Sequence, residues 1–246
     1  MKKLLSLLPL LFAACATRSE KAPEAARVYN APRAIGLITV DGILDEADWA
    51  NAPLSEAFAD IRGVDYDPAP VKQTHMKMLW DDDFLYIAGI IEEDNVTGSL
   101  TERDDIIYHD NDFEVFIDPD GDGHNYFEIE VNALGTVMDL LMDRPYTEGG
   151  TFIMPWDVQG LQVAVSVDGT LNDASPDRGW TVEMAIPFAA LMVGFNNPKD
   201  LQDWHINFSR VEWLKEGGPE ENWVWAPTGV VDMHQPSRWG VLHFNR

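Results

Sequence analysis

With one cysteine in 246 residues, the chain can close no disulfide within itself and build no Cys-based zinc or iron–sulfur site, since each needs at least two thiols. Basic side chains are also scarce. Seventeen Lys and Arg stand against 42 Asp and Glu, for a net charge of -25 at pH 7, and such a chain repels nucleic-acid phosphates and anionic membrane surfaces. The histidines show no His-x-x-x-His spacing, which removes a histidine-only metal site. No serine stands in a Gly-x-Ser-x-Gly elbow and no glycine-rich phosphate loop follows a strand, so nucleophilic hydrolysis and nucleotide use have no support. The chain is nevertheless a folding one: 46% of its residues are hydrophobic and 11% aromatic, too many for an acidic disordered polymer.

No apolar run is long enough for a bilayer span. The longest, Leu4 to Ala14, follows Met1-Lys2-Lys3 and has the shape of a signal peptide with a basic start. It ends at Cys15, and Leu11-Phe12-Ala13-Ala14-Cys15 resembles the lipobox of bacterial lipoproteins, in which the cysteine becomes the lipidated first residue. The expectation is an exported cell-envelope lipoprotein with residues 1–14 removed, a flexible tether over residues 15–27 and one folded domain over residues 28–246. Membrane contact is expected through the anchor alone. Ordinary secretion, with cleavage after Ala16, is the alternative.

Within the domain, period-two patterns dominate and helix is scarce. Val71 to Trp80 and Phe84 to Ile91 read as a hairpin joined by Asp81-Asp82-Asp83. Phe113, Val115 and Ile117 alternate with polar or outward residues, as do Phe127, Ile129 and Val131 across a Gly/Asp-rich turn, which predicts a second hairpin. Further strands are expected at Leu161 to Val167, Trp180 to Ile186, Trp204 to Trp213, Trp223 to Trp225 and Trp239 to Phe244. Only Asp45 to Trp49, capped by Asp45, and Pro187 to Leu191 read as helical turns. The fold class is all-β, an antiparallel, jelly-roll-like β-sandwich. The parity change between Ile206/Phe208 and Val211/Trp213 predicts a bulge near Ser209-Arg210 that re-aims Arg210.

Three features point to chemistry. Asp118-Pro119-Asp120-Gly121-Asp122-Gly123 is the opening half of a calcium-binding loop, with Asp118, Asp120 and Asp122 as ligands, or else a hairpin turn with glycines at positive φ. Glu114, Glu128 and Glu130 share the outward parity of one hairpin, where like charges are destabilising. They call for solvent, a cation, an arginine such as Arg210 or Arg238, or a hydroxyl-rich ligand; a glycosidase acid pair at Glu114 and Glu130 is a further reading. Nine tryptophans exceed what a core of this size needs, and exposed aromatic planes beside acids suit the C–H face of a sugar.

Taken in order, Val40-Asp41-Gly42-Ile43-Leu44-Asp45-Glu46-Ala47-Asp48-Trp49, Leu79-Trp80-Asp81-Asp82-Asp83-Phe84-Leu85-Tyr86-Ile87 and Asp112-Phe113-Glu114-Val115-Phe116-Ile117-Asp118 resemble carbohydrate-binding module family 9. Trp180 to Pro187 and the closing Trp239-Gly240-Val241-Leu242 continue the likeness over nearly the whole chain from Ile38. The resemblance implies a β-sandwich, structural calcium, and a slot gripping a terminal sugar of an oligo- or polysaccharide between two aromatic side chains. It sets Tyr108 at the first clamping position and Glu114 at the sugar-binding glutamate. Glu130 stands near a family arginine and Met233 near the second clamp, so Arg210 is a candidate replacement for the guanidinium, and Trp225 or a Met233/His234 surface for the second wall. The implied role is noncovalent sugar capture in polysaccharide catabolism, without catalysis. The rivals are a haem or other ligand carrier of the same architecture, the glycosidase, and a protein-binding scaffold.

Overall fold

Residues that alternate apolar and polar along Asp112–Asp118 and Tyr126–Asn132 can bury one set only by packing a sheet face against a second layer. The computed structural model, which describes residues 26–191, 203–215 and 217–245, has that arrangement: an all-β sandwich of two sheets. Cys15, the leader expected over 1–14 and the tether up to residue 25 lie outside the described residues.

The strands in chain order are β1 (Val28–Ala31), β2 (Ala59–Asp60), β3 (Thr74–Trp80), β4 (Phe84–Glu92), β5 (Asp112–Asp118), β6 (Tyr126–Asn132), β7 (Val137–Met142), β8 (Phe152–Ile153), β9 (Gln162–Asp168), β10 (Gly179–Pro187), β11 (Trp204–Glu212), β12 (Glu221–Val224) and β13 (Gly240–Phe244). The smaller sheet runs β3-β4-β10-β9. The larger has nine strands in the order β1-β13-β11-β5-β6-β7-β8, with β12 paired to β11 and β2 to β12. Every pairing is antiparallel except β1 with β13. Both hairpins expected from the sequence form, β3–β4 and β5–β6. At the tip of the second, Gly121 and Gly123 adopt φ of 68° and 80°, conformations in which a Cβ is strained.

The core between the sheets takes Met76, Met78, Ile87, Phe113, Val115, Ile117, Phe127, Ile129, Val182, Met184, Ile206 and Phe208 from the facing parities. Removing such side chains from water contributes about 1.5–3 kcal/mol each. Gly89, on β4, is required by a close approach: a Cβ there would come within 2.8 Å of the Phe113 ring. The Val40–Trp49 motif docks on the outer face of the smaller sheet, where Glu183 accepts hydrogen bonds from Asp41 N (3.0 Å), Gly42 N (3.1 Å) and Trp49 Nε1 (2.8 Å). The helical turn α1 (Ala47–Asn51) follows Glu46, not the expected Asp45 cap, and carries no side-chain cap. Asp48 instead accepts from the amides of Ile35 and Gly36.

One sequence expectation fails, and one strand goes unread, for the same reason. The register of β11 against β5 and β12 runs without a break, so the bulge near Ser209-Arg210 does not form. Ile206, Phe208 and Arg210 face the smaller sheet, while Val211 faces away and is also buried. The outer face of the larger sheet is itself covered: Phe116, Tyr126, Met138, Leu140, Met142, Met233 and Trp239 form a second apolar cluster there. Burial on both faces permits apolar residues on both parities, which also hid β7 from a period-two reading.

Candidate functional site

The outer face of β5 and β6 is where the acids meet. Glu114 lies directly opposite Glu130, and Phe116 opposite Glu128, in the antiparallel register. All three glutamates are at most 5% exposed. They floor a cavity of about 420 Å³. Its walls come from loops far apart in the chain: Tyr108 from the 3₁₀ turn Ile107–His109, Tyr146 from the turn Tyr146–Glu148, Phe152 from β8, and Asp232, Met233 and His234 from the segment before β13. Tyr108, Tyr146 and Phe152 are exposed at the rim.

Hydrogen bonds fix the walls. The Tyr108 amide donates to Glu130 Oε2 (3.0 Å), and Trp213 Nε1 donates to the Tyr108 carbonyl (2.9 Å). His234 Nδ1 and the Tyr126 hydroxyl are 2.9 Å apart, and the His234 ring stands edge-on to Tyr146 at 4.5 Å. Trp239 Nε1 donates to Met233 O (2.8 Å), pinning that loop to the second apolar cluster.

The electrostatics are one-signed. Burial, and then the neighbouring carboxylate, pushes both Glu114 and Glu130 well above the ordinary carboxylate range. Burial and Glu114 push Glu128 up to about 8. Burial lowers His234 to about 4, so its imidazole is neutral at pH 7. Among the described residues no lysine or arginine lines the cavity. Carboxyl groups set close together between aromatic and aliphatic walls can accept from, or donate to, the hydroxyls of a polyol whose apolar faces rest on the walls.

A second cavity, of about 500 Å³, opens at one end of the sandwich and is lined by Lys72, Glu93, His109, Asn111, Glu212 and Trp213 among others. Its buried acids have partners. Glu93 accepts from Asn111 Nδ2 (2.7 Å) and Trp180 Nε1 (2.8 Å), and Arg210 pairs with Glu212. The first cavity therefore holds the unbalanced chemistry.

A family model described as carbohydrate family 9 binding domain-like matches residues 40–246. The chain belongs to this family. Among solved structures it is similar to a family 9 carbohydrate-binding module from Caldicellulosiruptor kristjanssonii in complex with cellotriose, at 17% identity and TM-score 0.60 over 89% of this chain and 94% of that one. A family 9 carbohydrate-binding module from the same organism in complex with glucose gives 17% identity and TM-score 0.58 over the same shares. A candidate carbohydrate-binding protein from Bacteroides uniformis gives 16% identity and TM-score 0.67 over 90% of this chain and all of that one. At these identities the structural likeness establishes the fold. No curated protein matches.

Of the residues that the family 9 resemblance singled out, Tyr108, Glu114, Glu130, Met233 and His234 all line the first cavity. Arg210 and Trp225 do not. Arg210 is fully buried between the sheets, where it donates to Thr74 Oγ1 (3.1 Å) and Glu92 O (2.8 Å) and lies over the Trp223 ring. With the strand register unbroken, its side chain points away from Glu114. Trp225 is a core residue packed on Phe208, its indole nitrogen donating to Glu56, and is not a wall. No tryptophan is exposed: seven are buried, and Trp156 and Trp213 are half-buried. The accessible aromatics at the cavity are tyrosines and Phe152 instead. Tyr146 and Asp232 were missed because they sit in aperiodic loops, where no pattern marks which way a side chain faces.

At the β5–β6 turn, ligand oxygens of Asp118, Asp120 and Asp122 lie within 4.8 Å of one another. Asp118 is buried and accepts from the amides of Gly121 (3.0 Å) and Gly123 (2.9 Å), as a hairpin turn requires. A carboxylate oxygen has a second lone pair, so this donor set still fits a hard cation such as calcium.

Proposed function

We propose that this protein binds carbohydrate noncovalently in the cavity over β5 and β6, and that it captures oligo- or polysaccharide without hydrolysing it. The observation that carries this reading is the juxtaposition of the Glu114–Glu130 pair with the rim tyrosines Tyr108 and Tyr146 in a single pocket of a family 9 member. A pyranose has alternating apolar C–H faces and equatorial hydroxyls, and such a pocket complements both. Cellotriose, the ligand of one structural relative, is the first probe. Titration calorimetry is expected to give a binding heat, with the affinity weakened in Tyr108→Ala and Glu114→Ala variants whose circular dichroism is unchanged. Full binding in both variants would remove the site, and release of reducing sugar would remove the noncatalytic reading.

The same proposal places the protein outside the cytoplasm, held at the cell envelope by lipid on Cys15 through the 15–27 tether, in the service of polysaccharide breakdown. Unchanged processing and detergent partitioning of Cys15→Ala would overturn the anchor. It also includes calcium at Asp118, Asp120 and Asp122, as a brace for the β5–β6 turn; a calcium titration unaffected by Asp120→Asn would overturn that assignment.

A further inference from the structure

Beneath the cavity floor, one more acid joins the pair. Asp112, on the same face of β5 as Glu114, is fully buried, and one carboxylate oxygen each from Asp112, Glu114 and Glu130 lies within 4.8 Å of the others. Asp112 Oδ1 accepts from the Val211 amide (3.0 Å), but Oδ2, buried, has no hydrogen-bond partner. Among the described residues no lysine or arginine pairs with any of the three. A buried carboxylate oxygen without a donor is costly, and three carboxylates together compound the cost. Something positive belongs between them.

We propose that Asp112, Glu114 and Glu130 form a site for a divalent hard cation of the calcium class at the floor of the cavity, separate from the Asp118 turn. The donors are all carboxylate oxygens, which select hard cations over zinc or copper. Their spacing suits calcium, whose oxygen ligands sit at about 2.3–2.6 Å. Calcium takes about 6–8 oxygens, so three carboxylates leave positions open. Glu114 and Glu130 line the cavity while Asp112 lies behind them, so the open positions face the cavity. A pair of neighbouring sugar hydroxyls fits there. The cation site stands on the carboxylates alone; its contact with sugar rests on the carbohydrate reading above.

The test is calorimetric titration of calcium into chelator-treated full chain and into Asp112→Asn, Glu130→Gln and Asp120→Asn variants. The expected result is a calcium-binding component weakened at least tenfold in Asp112→Asn and Glu130→Gln and retained in Asp120→Asn. Both neutral variants relieve the carboxylate repulsion, so their melting temperatures in chelator should equal or exceed that of the parent. Should either fail to fold, the parent decides: calcium must raise its melting temperature and must still do so in Asp120→Asn. Absence of a calcium heat, or loss of it in Asp120→Asn alone, overturns the site in favour of carboxyls neutralised by protons. Cellotriose titrated in chelator separates the two proposals, since sugar binding undiminished without metal leaves the sugar slot standing and removes the cation from it.

Discussion

Two groups of buried acids lie on opposite faces of the larger sheet, and the fold treats them differently. On the inner side, Glu93 and Glu212 converge on Arg210, whose guanidinium also reaches Thr74 and the Glu92 carbonyl and stacks over Trp223. On the outer side, Asp112, Glu114, Glu128 and Glu130 crowd together with each other, two amides, the Ser209 hydroxyl and a neutral histidine, and among the described residues no lysine or arginine pairs with them. The first group is completed by the chain's own cation and supports the sandwich. The second is left incomplete at the floor of a cavity, the arrangement expected where binding, rather than stability, has shaped the site.

The largest effect should come from breaking the paired group. Arg210→Met leaves Glu93 and Glu212 buried without their cation, and unfolding by denaturant is expected to show a loss of about 3–5 kcal/mol. A loss below about 1 kcal/mol would erase the contrast, because an unpaired acid would then be as cheap inside as outside. Glu114→Gln is the matching change on the outer side. In chelator it should keep or raise the melting temperature, and it should weaken cellotriose binding about 10- to 100-fold, the value of a hydrogen bond to a charged group. A variant that melts lower yet binds normally would reverse the assignment of roles.

The pH dependence sharpens the comparison further. Burial, with Glu212 beside it, raises Glu93 from about 4.5 to about 7 in the folded protein. Between those values the folded chain holds a proton that the unfolded chain has released. Its contribution therefore makes stability fall as pH rises across that window, by up to about 1.4 kcal/mol per pH unit, and level off above pH 7. Glu93→Gln should remove this slope, visible as a flatter plot of denaturation midpoint against pH; an unchanged plot would mean that Glu93 is ionised throughout. The smallest effects belong to the rim. Tyr108→Ala and Tyr146→Ala should each weaken cellotriose binding about 2- to 10-fold, in keeping with aromatic contacts of about 0.5–1.5 kcal/mol, with no change in melting temperature. Loss on one side only would identify a single wall instead of a pair.

Much of this was legible in the residues themselves. The two hairpins, the outward acids and their cross-strand pairing all follow from period two, because strand geometry sends alternate side chains to opposite faces. The motif running from Val40 to Trp49 was recognisable by its order, and its physical reason is now visible in the three hydrogen bonds to Glu183. What failed was every step that required knowing how a face is covered. Arg210 was expected at the slot and Trp225 at its wall, yet Arg210, on an unbroken β11, points between the sheets, and Trp225, just after β12, packs in the core. Tyr146 was not foreseen, since a turn between β7 and β8 has no periodicity to read.

By itself, then, the sequence determined the fold class and the surplus negative charge on one face of β5 and β6, which are set by local alternation and composition, and it pointed to the family through the order of its motifs. The tertiary structure alone decided which acids obtain a cation and which do not. That choice depends on Arg210, about a hundred positions from Glu93 and Glu114 in the chain, pointing to one side of a strand and not the other. It also depends on loops remote in sequence closing over Glu114 and Glu130. Burial makes both decisions count, because a carboxylate that water would have solvated must find its partner in the fold or in a ligand.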